Sequence, residues 1–149
     1  KADVDGLTKL YRKEAAFIKM QEYVNDAPEG EFYFVILDLD DFKQINDRHG
    51  HQYGDEVLKQ MAAALVRIFG ENSILGRFGG DEFVILTKNV TKQEVIESLK
   101  QIQSDVKFCA GVVPWKNQED VKDIFDWADH AMYQMKYEQK NGINFIDRK

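Results

Sequence analysis

Two stretches of the sequence place carboxylates directly beside an apolar run. The run FYFVIL leads into Asp38 and Asp40, and Asp81 and Glu82 lead into the run FVIL. Side chains two residues apart in a strand lie on the same face, so the carboxylates of Asp38 and Asp40 can point into one site. Asp81 and Glu82 are adjacent, so one of them can point into a site while the other points away. Carboxylates are ligands for hard cations such as Mg²⁺, which often leave coordination positions open for substrate phosphates.

Two glycines, Gly79 and Gly80, stand directly before the second acidic pair. They lack a Cβ, so a bulky ligand can approach their backbone closely. Two metal ions at such a turn could clamp the attacking and leaving oxygens of a phosphoryl transfer. Taken alone, the stretch GGDE is typical of a solvated hairpin tip. Its pairing with LDLDDF favours a metal site that binds a triphosphate.

The elements that must position these residues can be predicted from hydrophobic periodicity and end signals. Thr8 is the predicted N-cap of the first helix, Gly70 a C-cap, and Thr91 with Glu94 a capping box. GGD joins two strands as a hairpin. The predicted helices cover residues 7–26, 42–50, 54–70, 91–103 and 119–140, and the predicted strands cover 31–37, 73–78, 82–87, 106–113 and 143–146.

This order of elements predicts the fold class. Helices alternate with strands, one strand pair is a hairpin, and the strand EFYFVIL has no polar alternation, so it should be buried on both faces. The pattern indicates an α+β fold with a ferredoxin-like mixed sheet covered by helices.

Composition narrows the function classes. The chain has 149 residues and a formal net charge of −6, which fits one globular domain and disfavours nucleic acid or an anionic membrane as the main partner. Cys109 is the single cysteine, so an internal disulfide is excluded, and its apolar surroundings in sequence predict packing. The sequence shows neither a signal peptide nor an apolar run of membrane-spanning length.

The acidic motifs resemble those of a known family. RFGGDEF is similar to the signature of the GGDEF family of diguanylate cyclases, and LDLDDFKQINDRHGHQYGDEVL resembles its second signature. DGLTKLY and ADHAMYQMK fall where weaker motifs of that family belong, so the resemblance extends over nearly the whole chain. It implies a fold like that of class III nucleotide cyclases. We expect residues 1–149 to form a single domain of this family, and the absence of a methionine at Lys1 predicts that it is excised from a longer multidomain signalling protein.

The resemblance implies an activity with defined partners. Family members condense two GTP molecules into cyclic di-GMP, a bacterial second messenger, and release two pyrophosphates. Each domain holds one GTP, and a homodimer forms the complete site. Two Mg²⁺ or Mn²⁺ ions per active site are expected. We expect the domain to be cytoplasmic, without nucleic-acid or membrane contact of its own, although the full-length protein could be anchored to a membrane through other regions.

Site residues follow from the resemblance, position by position. Asp38, the Leu39 carbonyl, Asp81 and Glu82 match metal ligands, and Asp81 and Glu82 also match the catalytic acids; which of these two is the general base stays open. The substrate-binding positions are Asn46 and Asp55 for guanine, and Phe42, Lys43, Gly79, Gly80 and Lys136 for the phosphates and the nucleotide turn. Asp55 could instead be a favourable charge at a helix start, and Lys136 a plain surface lysine.

Two departures from the family pattern bear on function. Lys136 is followed by Gly142 after a longer gap than usual, and Ile143 stands where the family has a phosphate-binding arginine, a role that Lys140 could take by reach. Gly70 and Ser73 occupy the positions of the R-x-x-D motif that binds product in many members, so no product-inhibition site is expected. The alternative to an active cyclase is a catalytically weak or inactive GTP-binding module that regulates an attached domain or partner.

Overall fold

The computed structural model describes residues 3–138 and 141–147, which form five α-helices and a five-stranded sheet. A short 3₁₀ turn, Gly70–Asn72, follows α3. In chain order the elements are α1 Lys13–Asp26, β1 Phe32–Leu39, α2 Phe42–His49, α3 His51–Phe69, β2 Ser73–Gly79, β3 Glu82–Lys88, α4 Lys92–Gln103, β4 Phe108–Trp115, α5 Val121–Glu138 and β5 Ile143–Phe145.

The sheet has the order β2-β3-β1-β4-β5, with β1 at its centre. Strand β1 is antiparallel to both β3 and β4, whereas β4 and β5 are parallel. Alternate residues of β1 enter two separate cores: Val35 and Leu37 pack with α3 and α4, and Phe34 and Ile36 pack with α1 and α5. The predicted mixed sheet covered by helices is confirmed, and β1 is buried on both faces as expected.

One glycine allows α5 to lie directly on the sheet. A Cβ at Gly111 in β4 would overlap the carbonyl oxygen of Ala128 and would lie 2.8 Å from the backbone nitrogen of Met132. Both contacts are with the backbone of α5, so a side-chain rotation cannot relieve them. The absence of a side chain at Gly111 therefore brings α5 close to β4 and β1.

Several predicted boundaries need correction. Helix α1 begins at Lys13, with Arg12 as N-cap, so the prediction of Thr8 as the cap was wrong. The Thr8 hydroxyl instead donates to Asp5 Oδ2 at 2.7 Å, because Asp5 competes for it in the preceding turn. Helix α3 begins at His51, three residues earlier than predicted.

The other end signals act as expected. Gly70 is the C-cap of α3, with φ of 55°, and Thr91 and Glu94 form the capping box of α4. The predicted extension of α5 to residue 140 reaches beyond the described residues at Glu138. Within the described ranges, each helix is either too short or too polar to cross a membrane.

Candidate active site

The two acidic strand ends meet at one edge of the sheet. Asp38 near the end of β1 lies opposite Glu82 at the start of β3 in the antiparallel register. The Leu39 backbone N–H donates to the Asp81 carbonyl at 3.3 Å. The side chains of Asp38 and Glu82 lie on the face of the sheet that packs against α1 and α5. The structure thus brings Asp38, Leu39, Asp81 and Glu82 together.

The electrostatics of this cluster are those of crowded carboxylates. Burial, a side-chain hydrogen bond with Asp81 and the negative charge of Asp81 together raise the pKa of Asp38 to about 8. Burial also raises the pKa of Glu82, with further contributions from Asp129 and Asp81. Neighbouring carboxylates repel each other when both are ionised, so Asp38 keeps its proton more readily when no cation is bound.

The donor set fits a hard cation. The buried Asp38 Oδ1 has no hydrogen-bond partner among the described residues, and a metal ion would supply one. Within the part of the chain that the structure describes, histidine, cysteine, aspartate and glutamate side chains form no metal-binding group of three or more. The carboxylates of Asp38, Asp81 and Glu82 therefore do not form a closed three-carboxylate site in this structure, and backbone carbonyls such as that of Leu39 and substrate oxygens would have to complete the coordination of a cation.

Lys136 projects from α5 into the same cluster. Its Nζ lies 3.7 Å from Asp38 Oδ2 and 3.8 Å from Asp40 Oδ1. Only about a quarter of its side chain is exposed. The interpretation of Lys136 as a plain surface lysine is therefore wrong, and its ammonium lies beside the acids.

The glycine turn is braced by Arg77 of β2, which is itself held by Asp5 outside the hairpin. Gly79 and Gly80 have φ of 104° and 54°, and a register shift falls between Arg77 and Gly79. The Arg77 guanidinium donates to the Gly80 carbonyl from Nη2 at 2.8 Å and from Nε at 3.0 Å. Its Nη1 donates to both carboxylate oxygens of Asp5 at 3.1 Å. Arg77 thus fixes the turn that presents Asp81.

The predicted guanine-binding residues lie at the junction of α2 and α3. The Asn46 side chain packs against Gly54, where a Cβ would overlap the amide oxygen, and Phe42 packs beside them. Asn46 Oδ1 is buried without a hydrogen-bond partner among the described residues. Asp55 and Lys43 are exposed. Asp55 lies on α3 one residue after Gly54 and is not in its first turn, so the helix-start explanation of Asp55 is not supported.

One contact beside the cluster, between Cys109 and Asp40, is not predicted from the sequence. Cys109 is fully buried, as predicted, but its thiol also donates to Asp40 Oδ1 at 3.2 Å. Cys109 lies opposite Asp38 in the register of β1 with β4. The alternation of side chains along β4 could have predicted that Cys109 lies on the same face of the sheet as Asp38. Its contact with Asp40 also depends on the register of β1 with β4, which cannot be predicted from the sequence.

The positions that depart from the family pattern are also placed. Ile143 lies half-buried in β5, and the Gly142 carbonyl accepts from the Ala110 N–H at 2.9 Å. Lys140 lies outside the described residues. Gly70 and Ser73 line a groove of about 930 Å³ beside β2, and the Ser73 hydroxyl donates to the Gly70 carbonyl at 2.8 Å.

Comparisons with known proteins give the family. The profile described as "Diguanylate cyclase, GGDEF domain" matches residues 2–142. The diguanylate cyclase DgcP of Pseudomonas aeruginosa is 30% identical over 152 residues, which cover 91% of this chain and 23% of DgcP. The cyclic di-GMP phosphodiesterase PdeR of Escherichia coli is 35% identical over 98 residues, which cover 66% of this chain and 15% of PdeR.

A solved structure agrees with these relatives. The GGDEF domain of DgcB from Caulobacter crescentus, crystallised in complex with c-di-GMP, superposes with a TM-score of 0.90 at 25% identity, covering 97% of this chain and 96% of that domain. The chain spans less than a quarter of the length of DgcP and of PdeR. Since the family profile covers almost the whole sequence, the chain belongs to the GGDEF domain family of diguanylate cyclases.

Proposed function

We propose that this domain condenses two GTP molecules into cyclic di-GMP, with release of two pyrophosphates, at a site shared by two copies of the domain. The observation that carries the proposal is the meeting of Asp38 with Asp81 at one sheet edge, where burial and mutual repulsion raise the pKa of Asp38 to about 8. Bound cations would neutralise the repulsion within this cluster of carboxylates. The proposed reaction uses such cations, because they also bind the triphosphate of GTP.

The carboxylates hold the metal ions in this proposal. Asp38, the Leu39 carbonyl, Asp81 and Glu82 would bind two Mg²⁺ or Mn²⁺ ions. Bound there, the ions would neutralise developing charge on the phosphate and make the 3′-hydroxyl more acidic. One of Asp81 and Glu82 would accept the 3′-hydroxyl proton, since both lie at the glycine turn to which the nucleotide would bind.

The geometry around the acids supports the rest of the proposed nucleotide site. Lys136 supplies a positive charge for the phosphates, and Lys43 and Phe42 begin α2 beside the end of β1. Gly79 and Gly80 have open space where a Cβ would stand, so a nucleotide can approach their backbone.

Guanine selectivity is assigned to Asn46 and Asp55. A carboxylate accepts from guanine N1–H and N2–H₂, which adenine lacks, so Asp55 favours GTP over ATP. Asn46 Oδ1, which has no hydrogen-bond partner in the described part of the chain, is a second acceptor for a base N–H. A buried acceptor without a partner costs about 1–3 kcal/mol, and a bound guanine would recover part of that free energy.

We further propose that this is one domain of a longer cytoplasmic signalling protein. The buried, reduced Cys109 thiol is consistent with a reducing compartment. Each domain supplies one GTP with its acids, so turnover requires a homodimer in which the 3′-hydroxyl of one GTP attacks the α-phosphate of the other.

The proposal is tested by forcing dimerisation. The domain is fused to a leucine zipper and incubated with GTP and Mg²⁺, and the products are identified by mass. Activity per domain should rise well above that of the dilute unfused domain, because the zipper raises the effective concentration of the second half-site. Activity of a proven monomer that does not change with concentration would contradict the shared site.

A second candidate function is a GTP-binding regulatory module. Ile143 in place of the family's phosphate-binding arginine favours it, and so does the similarity to PdeR, which carries the name of a phosphodiesterase. The zipper experiment separates the two functions, because a regulatory module would bind GTP and return it unchanged.

We also propose that the product does not inhibit through the groove beside β2. Gly70 and Ser73 offer neither the guanidinium nor the carboxylate that would grip cyclic di-GMP. Each missing charge-assisted hydrogen bond costs about 1.5–3 kcal/mol of binding free energy. A progress curve with added cyclic di-GMP should therefore show no non-competitive inhibition that depends on these two residues.

A further inference from the structure

Asp40 is a buried carboxylate that is not among the proposed metal ligands. Its side chain is only 4% exposed, and its backbone N–H donates to the Lys107 carbonyl at 3.0 Å, which fixes the chain just beyond β1. Asp40 Oδ1 accepts from the Cys109 thiol at 3.2 Å and lies 3.8 Å from Lys136 Nζ. The carboxylate therefore joins β1, β4 and α5 at one point.

Lys136 needs such an anchor because lysine is flexible. Ordering a lysine side chain costs about 1.5–2 kcal/mol of conformational entropy, so an unanchored ammonium is a poor phosphate ligand. Among the described residues, Asp38 is the other carboxylate that forms an ion pair with Lys136, at 3.7 Å, but in the proposed site Asp38 binds a cation. Asp40 is the partner that Lys136 keeps when metal and substrate bind.

Cys109 fixes the orientation of Asp40. The thiol is fully buried in β4, and the neighbouring Ala110 N–H donates to the Gly142 carbonyl at 2.9 Å, so the strand is held from the side of the α5–β5 connection. A thiol is a weak donor. Directed at Oδ1, it nevertheless favours one rotamer of a carboxylate whose Oδ2 is buried without a hydrogen-bond partner among the described residues.

We propose that Asp40, oriented by the Cys109 thiol, is a positioning residue that holds the Lys136 ammonium at the substrate phosphates. This inference rests on the proposed function, since it assumes that a nucleotide triphosphate binds beside Lys136. It adds two residues, Asp40 and Cys109, whose effect is exerted only through Lys136.

The test compares a ligand that has phosphates with one that lacks them. The ligands are 3′-deoxy-GTP, which lacks the attacking hydroxyl and cannot react, and guanosine. Binding to the whole domain is measured by calorimetry with Mg²⁺ for Asp40→Asn, Cys109→Ala and Cys109→Ser. We expect Asp40→Asn and Cys109→Ala to weaken 3′-deoxy-GTP binding by about 5–10-fold and to leave guanosine binding unchanged. Cys109→Ser keeps a donor and should remain close to wild type.

A second background shows whether the effect passes through Lys136. In Lys136→Ala, adding Asp40→Asn should cause no further loss of 3′-deoxy-GTP affinity, because the group that Asp40 positions is gone. Full additivity of the two losses would overturn the inference. Equal weakening of guanosine and 3′-deoxy-GTP would also overturn it, because that result indicates a general structural defect.

The controls separate this inference from the function on which it rests. Thermal unfolding of each variant is measured, and if Asp40→Asn fails to fold, Cys109→Ala carries the test because it removes a single sulfur atom. Wild-type affinity for 3′-deoxy-GTP in both variants would overturn the positioning role while leaving the proposed function intact. A wild-type domain that binds 3′-deoxy-GTP no better than guanosine would overturn both.

Discussion

Substitution of Gly54 by alanine should separate fold stability from guanine binding. Gly54 is buried in α3, and a Cβ there would overlap Asn46 Oδ1 and lie 2.9 Å from Asn46 Cγ. The third close atom, Phe42 Cζ at 3.3 Å, is also a side-chain atom, so Asn46 can rotate away while the two helices stay in place. The substitution therefore displaces one proposed guanine-binding residue without truncating it.

The expected magnitudes follow from the same contacts. Alanine is favoured over glycine inside a helix by about 1 kcal/mol, which offsets the cost of moving Asn46, so the free energy of unfolding should change by less than about 1 kcal/mol. Loss of one hydrogen bond to guanine costs about 1–1.5 kcal/mol, so GTP should bind about 5–12-fold more weakly. ATP affinity should stay unchanged, and the preference for GTP should fall by the same factor.

The assay is calorimetric titration of the dilute domain with GTP and with ATP, alongside urea unfolding. Asn46→Ala should show the same loss for GTP, and adding Gly54→Ala to it should change little. Gly6→Ala is the matched control, because a Cβ at Gly6 meets open space. Wild-type GTP affinity in Gly54→Ala, or a large loss of stability, would refute the reasoning.

Three further predictions concern the scaffold and the acids. Arg77→Ala should lower the free energy of unfolding by about 3 kcal/mol in urea titrations, because it breaks the partly buried pair with Asp5 and frees the Gly80 carbonyl; a change near zero would contradict the bracing role. Gly111→Ala should cost about 3 kcal/mol or more in the same assay, since its Cβ meets the backbone of α5, and wild-type stability would show that α5 can move away. In EDTA the free energy of unfolding should fall as pH rises from about 4 to about 8. In the folded state the pKa of Asp38 is raised to about 8, so Asp38 keeps its proton over this range, whereas in the unfolded chain it loses the proton near the ordinary pKa of aspartate. Asp38→Asn should flatten that dependence in unfolding curves at about pH 5 and about pH 8.5, and an unchanged slope would refute the assignment.

Much of the fold was predictable because local signals agreed with the tertiary structure. The uninterrupted apolar run before Asp38 predicted a strand buried on both faces, and β1 is the central strand. The glycines before Asp81 predicted a hairpin, and they adopt positive φ at its tip. The two-residue spacing of Asp38 and Asp40 placed both on one side, and both contact Lys136.

The remaining features depend on partners that are distant in sequence. Thr8 looked like a helix cap, but Asp5 binds it and is itself held by Arg77, which lies 72 residues away. The hydrogen bond between Cys109 and Asp40 spans 69 residues and requires the register of β1 with β4. Such contacts follow from sheet order and helix placement, which periodicity does not determine.

The most direct test of the account is the product stoichiometry of the zipper-fused domain with and without Asp81. Wild-type protein incubated with GTP and Mg²⁺ should release two pyrophosphates for each cyclic di-GMP formed, as quantified by chromatography and mass. Asp81→Asn should form neither product while keeping its thermal unfolding temperature, because the change removes a metal-binding charge and leaves the packing intact. Wild-type turnover by Asp81→Asn, or unchanged GTP in the wild-type reaction, would contradict the assignment of this site as a diguanylate cyclase centre.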